Sequence, residues 1–408
     1  MLLYAYIILF SILFGFVSLI YYISNARRSM TYKVRGGNIA GDIKDVTILV
    51  PVYNENPKLF EKCISSISKQ GCPFIVVGDS SMEPYNSITR HYHGAFIYSK
   101  IRGGKRRALS LGMEHVDTKY VMFVDSDTSI PKYAARNMLS KFNDGVGGVG
   151  SSISIRLTSN WISYASEFFE KLKEITFRAM AKSGAVMVLD GRCCMYRTDL
   201  VSGFMASDEY KNYSLLGIKS GLSDDRHITS HVLNLGYKTA IDYSVMVKTE
   251  SQKTLRMFIK QMVRWTRAGY MYFFDEFLHM RYLKRGPFYT FEMLYMYALP
   301  VVTILLAVSR VYLYMFHGIN TMVSRDLLLA FNLITMNFSR IHLLTILYYT
   351  MQALDLVGVA VFGIALSLRV KKRKKKIFAY GGIAMLIILF ATFYGLLTIW
   401  KQNDWLTR

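Results

Sequence analysis

Long apolar runs and short ones divide this chain into two kinds of territory. Residues 2–23, 289–316, 327–368 and 377–400 are almost continuously apolar, while residues 26–285 mix brief apolar runs with polar stretches. A helix needs about 20 apolar residues to cross the hydrocarbon core of a bilayer, so the first, second and last runs are each long enough to span. Inside the mixed territory, Val46-Thr47-Ile48-Leu49-Val50, Phe74-Ile75-Val76-Val77 and Tyr120-Val121-Met122-Phe123-Val124 are short and rich in β-branched or aromatic side chains. They stop at Pro51, Gly78 and Asp125, and helical stretches such as 58–69 and 105–115 separate them. Continuous apolar strands alternating with helices predict a parallel α/β sheet.

Charge refines this picture. The chain is 52% hydrophobic with a mean hydropathy of +0.22, and 50 Lys and Arg against 28 Asp and Glu give a net charge of +22. Either nucleic acid or an anionic membrane surface could explain such basicity. Much of it flanks apolar runs, in Arg27-Arg28 and in Lys371-Lys372-Arg373-Lys374-Lys375-Lys376, and no helix-turn-helix, zinc-finger or RNP-type signature is present. The expected partner is therefore a lipid bilayer and not nucleic acid.

Basic residues mark the cytoplasmic side of spans. Arg27-Arg28 follow the first run instead of preceding it, which is the reverse of a cleaved signal peptide. Residues 1–24 then form an N-terminal transmembrane helix that leaves the mixed territory in the cytoplasm. A single crossing within 327–368 keeps the Lys371–Lys376 cluster cytoplasmic. Residues 276–408 accordingly read as interfacial segments (327–338 among them) and three spans, at about 289–316, 341–368 and 377–400, with the far end of the chain outside. This is a multi-pass cell-membrane protein. Asp355, in mid-span, calls for a cavity or an ion pair, whereas Arg310 and His342 suit a boundary. The four cysteines, Cys63, Cys72, Cys193 and Cys194, show neither zinc spacing nor a disulfide framework, as in a reducing compartment.

Open α/β sheets bind ligands at the carboxyl ends of their strands. The polar residues delivered there are Tyr53, Asn54 and Glu55, then Asp79, then Asp125-Ser126-Asp127. Two carboxylates at i and i+2 after a buried strand form an oxygen-rich site for a hard divalent cation shared with phosphates. Gly103-Gly104-Lys105-Arg106-Arg107 suits either a plain turn or a diphosphate clamp at a helix start. Asp79 suits a turn as well as a ligand contact. Ser223-Asp224-Asp225-Arg226-His227 reads as a helix start in which one acid caps and the other is free to act as a general base. Gln261, Arg264 and Trp265, at i, i+3 and i+4, share a helix face fit for a diphosphate and a sugar ring. Arg256, Lys260, Arg264 and Arg267 follow the same helical spacing, as on a helix lying on anionic lipid.

Taken together, Pro51-Val52-Tyr53-Asn54-Glu55, Gly103-Gly104-Lys105-Arg106, Val124-Asp125-Ser126-Asp127-Thr128, Met195-Tyr196-Arg197, Ser223 to Thr229 and Gln261-Met262-Val263-Arg264-Trp265 resemble the family 2 glycosyltransferases. The resemblance is to the processive membrane synthases of hyaluronan, chitin oligosaccharides and cellulose, and covers about residues 45–275 plus the flanking spans. It implies a cytoplasmic α/β domain of GT-A fold over 45–275, with a mixed, mainly parallel sheet, beside an α-helical transmembrane bundle. It further implies a UDP-sugar donor, a growing glycan acceptor and Mg2+ or Mn2+. By the same resemblance Tyr53, Glu55, Asp79, Lys105, Asp125, Gln261 and Arg264 bind the nucleotide-sugar. Asp127 ligates the metal with Asp125, Asp225 is the base with Asp224 beside it, and Trp265 meets the acceptor with Met195, Tyr196 and Arg197.

Two departures stand out. Ser223 occupies a usual glycine position, and Asp190-Gly191-Arg192-Cys193-Cys194 replaces a small Gly-Pro-containing stretch. No gating-loop motif follows the second span, and four spans leave room for a homo-oligomer sharing one pore. The alternative function is single addition to a lipid-linked or protein-linked glycan.

Overall fold

The computed structural model describes residues 2–34, 36–37, 41–317 and 343–402. Its strands are β1 (Val46–Val52), β2 (Phe74–Asp79), β3 (Ala95–Ser99), β4 (Tyr120–Val124), β5 (Val146–Ile155), β6 (Cys193–Arg197), β7 (Ser214–Leu215), β8 (Ile218–Lys219) and β9 (Lys238–Thr249). The helices of the globular part are α2 (Pro57–Ser68), α3 (Tyr85–His91), α4 (Lys105–Met113), α5 (Ala134–Leu139), α6 (Trp161–Ala181), α7 (Thr198–Ala206), α8 (Asp208–Lys211), α9 (Asp224–Asn234) and α10 (Leu255–Leu278). The long apolar helices are α1 (Leu2–Thr31), α11 (Pro287–His317), α12 (Leu343–Arg369) and α13 (Lys374–Leu396).

Seven strands form one sheet in the order β3-β2-β1-β4-β6-β5-β9, with β7 and β8 as a separate small hairpin. All neighbours in the large sheet pair parallel except β6, which runs antiparallel to β4 and β5. The mixed, mainly parallel sheet is the one expected. Alternate side chains go to opposite faces. Leu49, Val77, Val121, Phe123 and Tyr196 join one core layer, and Ile48, Val50, Val76, Met122 and Met195 the other. Each such fully buried side chain contributes roughly 1.5–3 kcal/mol.

The reversal of β6 decides what reaches the site. Its first residue, Cys193, pairs with Val124 at the carboxyl end of β4, and its last, Arg197, pairs with Tyr120 at the opposite end. The loop entering β6 therefore shares an edge with Asp125, and the loop leaving it does not.

Among the described residues, four helices are long and apolar enough to cross a membrane: Leu9–Thr31, Pro287–Ser309, Tyr349–Arg369 and Lys374–Leu396. α1 and α12 run parallel. Leu19 lies 3.1 Å from where a Cβ on Gly358 would stand, Tyr22 meets Phe362 edge-on at 5.5 Å, and Arg369 Nη2 donates to Ser29 O at 3.0 Å. α11 is antiparallel to α1, since Arg28 lies 3.8 Å over Phe288 while Tyr295 donates to Ser18 at 2.6 Å. Asn25 of α1 also donates to Glu292 of α11. Thus α1 and α12 arrive at the globular part with their C-terminal ends, and α11 leaves it. The expected interfacial piece at 327–338, the side chain of Arg310, and His342 lie outside the described residues. Asp355 forms no salt bridge among the described residues, and its Oδ1 is buried without a hydrogen-bond donor there.

Candidate active site

The carboxyl edge of β1 and β4 and the N-termini of α4 and α9 enclose one pocket. Pro51, Lys105, Leu109, Phe123, Asp125, Gly191, Cys194, Asp224 and Asp225 line it. α4 begins after Gly104, whose φ of +80° suits glycine. That turn is set by Asp79, whose Oδ1 and Oδ2 accept from the N–H groups of Gly103 at 2.7 Å and Gly104 at 2.9 Å. Asp79 is thus buried with both oxygens on the turn that presents Lys105.

Lys105 Nζ bridges Asp125 at 2.8 Å and Asp224 at 3.3 Å. Burial works against its charge, but Asp125, Asp224 and Asp225 hold its pKa well above the ordinary lysine value. Burial also raises Asp125; Lys105 opposes this, and Asp127 adds to the rise. Asp225 is pushed up to about 6, by burial first and by the Asp224 charge second. Its Oδ2 accepts from Gly191 N–H at 3.2 Å and its Oδ1 from Arg226 N–H at 2.8 Å. Gly191 fits closely here: a Cβ would stand 3.0 Å from Lys105 Nζ and 3.3 Å from Asp225 Cβ, tighter than ordinary contact.

Around this centre the expected residues are not all placed alike. Glu55 is buried, accepts from Asn56 N–H at 2.9 Å and from Ser126 Oγ at 3.4 Å, and so touches the Asp125-Ser126-Asp127 turn. Tyr53, just past β1, lies under the Arg102 guanidinium at 3.9 Å. Asp127 accepts from Thr128 Oγ1 at 3.3 Å. Gln261, Arg264 and Trp265 are half-buried on α10 and do not line the pocket. Trp265 stacks on Phe169 of α6 at 5.7 Å, with Ile387 and Ile388 of α13 in the same apolar cluster.

Met195, Tyr196 and Arg197 are placed away from the pocket. Met195 and Tyr196 are fully buried in the sheet, and Arg197 sits at the far edge, paired with Asp199 at 2.8 Å. None of the three faces the pocket, because antiparallel β6 carries them away from it. Tyr196 instead bonds Thr229 Oγ1 at 2.8 Å, bracing the first turns of α9 behind Asp225. Arg106 is no diphosphate cation either. It is buried, donating to Leu222 O and Tyr272 OH, each at 2.7 Å, and meeting His227 Nδ1 at 2.9 Å. Burial, then the Arg106 charge, lowers His227 to about 2, so it stays neutral and can accept from that guanidinium.

What sequence patterns missed is Glu170 and Lys173 of α6 and their pairing with the departing loop before β6. Arg192 Nη2 donates to Glu170 Oε1 at 2.7 Å, Arg192 Nε to Asp190 Oδ1 at 2.7 Å, and Lys173 Nζ to Asp190 Oδ2 at 2.9 Å. Burial opposes the Asp190 charge, but Arg192 and Lys173 keep its carboxyl well below the usual range. This four-charge cluster pins Gly191, the residue between its two loop members, against Asp225. The legible signal was the run of charges along the otherwise apolar α6.

A divalent cation fits the donor set. Among the described residues no group of three or more His, Cys, Asp or Glu forms a ready metal cage. Asp125 and Asp127 offer oxygen only, as a hard cation completed by a diphosphate and water requires.

Ser223, which precedes α9, has a φ of 51° and a ψ of 56°, a left-handed conformation, and makes no side-chain cap. That conformation costs a non-glycine residue about 1–2 kcal/mol, while glycine's extra unfolded freedom returns about 0.5–1 kcal/mol of that gain. Ser223→Gly is expected to raise the thermal midpoint in detergent by a degree or a few, with activity retained. A lower midpoint would assign the hydroxyl a role of its own.

Comparison with known proteins agrees with this architecture. The chain is similar to an N-acetylglucosaminyltransferase of Sinorhizobium fredii, 29% identical over 258 residues, which is 60% of this chain and 61% of that protein. It is also similar to one of Azorhizobium caulinodans, 28% identical over 262 residues, or 60% of this chain and 64% of that one. The matches thus span less than two thirds of these curated relatives. A mannosyltransferase from Pyrobaculum calidifontis, solved with GDP-Man and Mn2+, shares the fold with a TM-score of 0.58 at 18% identity, over 87% of this chain and 97% of that one. Residues 44–268 match the profile described as glycosyltransferase like family 2. That match takes in more than half of the 408 residues and every strand of the sheet, and the chain belongs to this glycosyltransferase family.

Proposed function

We propose that this protein is a membrane-embedded, inverting glycosyltransferase that moves a sugar from a UDP-sugar to a growing polysaccharide. It works processively from the cytoplasmic face and passes its product outward. The observation that carries this reading is the meeting of Asp125, Lys105, Asp224 and Asp225, drawn from three distant stretches, in one pocket at the carboxyl edge. N-acetylglucosamine is the first donor sugar to test, because the rhizobial relatives are N-acetylglucosaminyltransferases. That favours a chitin-like product over a hyaluronan-like one.

In this mechanism Asp225 takes the proton of an acceptor hydroxyl as its oxygen bonds to the anomeric carbon. The bond from that carbon to the diphosphate breaks on the opposite face, its electron pair leaves with the diphosphate, and the centre inverts. Lys105, at the N-terminus of α4, offsets the charge of the leaving group. Tyr53, Glu55 and Asp79, at the ends of β1 and β2, hold the nucleoside side. Gln261 and Arg264, on α10 outside that pocket, contact the far side of the donor, and Trp265 with Phe169 receives the acceptor sugar. Asp127 with Asp125 would hold Mg2+ or Mn2+, whose charge helps neutralise the diphosphate when bound.

Membranes carrying the chain, incubated with UDP-sugars singly and in pairs with either metal, are expected to release UDP and build a product ladder. One added sugar would replace this reading with a single-addition transferase on a lipid-linked or protein-linked glycan. A need for two donors would favour a hyaluronan-type product. No release with any donor would end the enzymatic reading.

A further inference from the structure

Helix α13 is long and apolar enough to cross a bilayer, yet both of its ends meet the globular part. At its start, Arg373 donates to Tyr164 OH of α6 at 2.6 Å. Ile377 is buried with Ala26 of α1 and Leu366 of α12, at the ends of those helices that face the domain. One turn on, a Cβ at Gly381 would stand 2.3 Å from the Phe168 ring. In mid-helix, Ala384 and Ala391 are buried with Phe258 and Met262 of α10. At the far end, a Cβ at Gly395 would stand 2.7 Å from Thr266.

The chain beyond the helix then turns onto the domain. Arg267 Nε donates to Thr398 Oγ1 and Arg267 Nη1 to Lys401 O, both at 3.0 Å. Gln402 is 1% exposed, donates to Arg267 O at 3.2 Å and accepts from Ser220 Oγ at 3.1 Å. Ser220 lies in the loop that leads into Asp224 and Asp225. Arg267, expected on a lipid-facing basic stripe, is therefore turned inward to hold this hook.

A helix crossing a hydrocarbon core about 30 Å thick delivers its ends to opposite sides. Here the start lies beside the domain-facing ends of α1 and α12, and the end is bonded to the domain itself. The small residues Gly381, Ala384, Ala391 and Gly395 form the packed face. Ile383, Leu386, Phe390, Tyr394 and Leu397, three or four residues apart, form an exposed apolar face. The occupant that fits this face is the bilayer already entered by α1, α11 and α12, whose domain-side ends adjoin it.

We propose that α13 does not cross the membrane. It lies in the membrane surface on the domain's side, small-residue face against α6 and α10 and apolar face in lipid, and residues 398–402 hook Arg267 to the Ser220 loop. The chain then crosses three times, and Lys401 stands on the same side as the catalytic domain, not opposite it as charge parity predicts.

Side of the membrane can be read without any donor sugar, so this test is independent of the enzymatic reading. All four native cysteines are buried, which gives a low labelling background. Single variants Lys401→Cys and Lys58→Cys, in intact and inverted membrane vesicles, are treated with a membrane-impermeant maleimide. Both are expected to label in the same vesicle orientation. Labelling of Lys401→Cys only where Lys58→Cys is shielded would overturn the proposal. In the full chain carrying Ser220→Cys and Gln402→Cys, a short bifunctional maleimide is expected to join the two positions within one chain. Two thiols that each react singly but never join would equally overturn it.

Discussion

Asp225→Asn is expected to be both almost inactive and more stable than the parent protein. A positioned general base contributes about 10²–10⁴-fold to rate, so transfer should fall by roughly that factor. Stability moves the other way because the folded protein disfavours the Asp225 charge, through burial and through Asp224. The sign follows from linkage. A carboxyl with an unfolded value near about 3.9 that rises to about 6 on folding destabilises the fold progressively as pH climbs through that interval. At neutral pH the loss is complete, on the order of 3 kcal/mol, and a neutral Asn is spared it. Asn also retains an oxygen for one of the two backbone N–H groups that Asp225 accepts from. The parent rate should fall about tenfold per pH unit below about 6, as the base becomes protonated. UDP release against pH, with thermal unfolding of both proteins at pH 7.5 (about the physiological range, where carboxylates are charged), checks both halves. An Asn variant that keeps full turnover would remove Asp225 from the chemistry.

The second large effect is expected at Lys105. Its ammonium is the cation between Asp125 and Asp224 in a pocket that also holds Asp225. Lys105→Met leaves these carboxylates facing one another with nothing between them. Removing one partner of a buried pair costs about 3–5 kcal/mol; this pocket is partly open, so the lower end is expected. Because Lys105 lowers Asp225, its loss should move the acid limb of the rate profile above about 6. The instability should appear at neutral pH, where the acids are charged, and fade as pH falls toward the ordinary carboxylate range. Adding Asp225→Asn to Lys105→Met should restore part of the stability without restoring activity. Additive effects of the two substitutions would mean the charges do not interact.

The parts of this fold legible in sequence are those where one physical rule acts alone. β1, β2 and β4 are unbroken apolar runs because both faces of a central parallel strand are covered, and the acids after them mark the ligand edge. β5 was illegible because it reads Val146-Gly-Gly-Val-Gly-Ser-Ser. Its glycines answer to partners remote in sequence: a Cβ at Gly147 would stand 2.6 Å from Val232, and one at Gly148 2.8 Å from Tyr196. Met195-Tyr196-Arg197 was recognisable as a motif, but its place depended on the direction of β6, which no local pattern encodes. Asp79 also sets the turn before Lys105, a backbone role its sequence position left open, and Arg106, with the right chemistry for a ligand, is used on neighbouring groups instead. The partners of Glu170 and Lys173 lie some twenty residues away, in a loop that itself departs from the family pattern.

Helix α6 packs against the membrane helices on one side and the loop beside Asp225 on the other. On one side Phe168, Ile175 and Tyr164 pack with α1, α12 and α13; on the other Glu170 and Lys173 hold the loop whose Gly191 touches Asp225. A change in bilayer thickness that tilts the membrane helices is therefore expected to be felt at Asp225 through this helix. If Asp225 is the base proposed above, delipidation should erode turnover before it loosens the sheet, which would make the surrounding lipid a component of the catalyst and not merely its container.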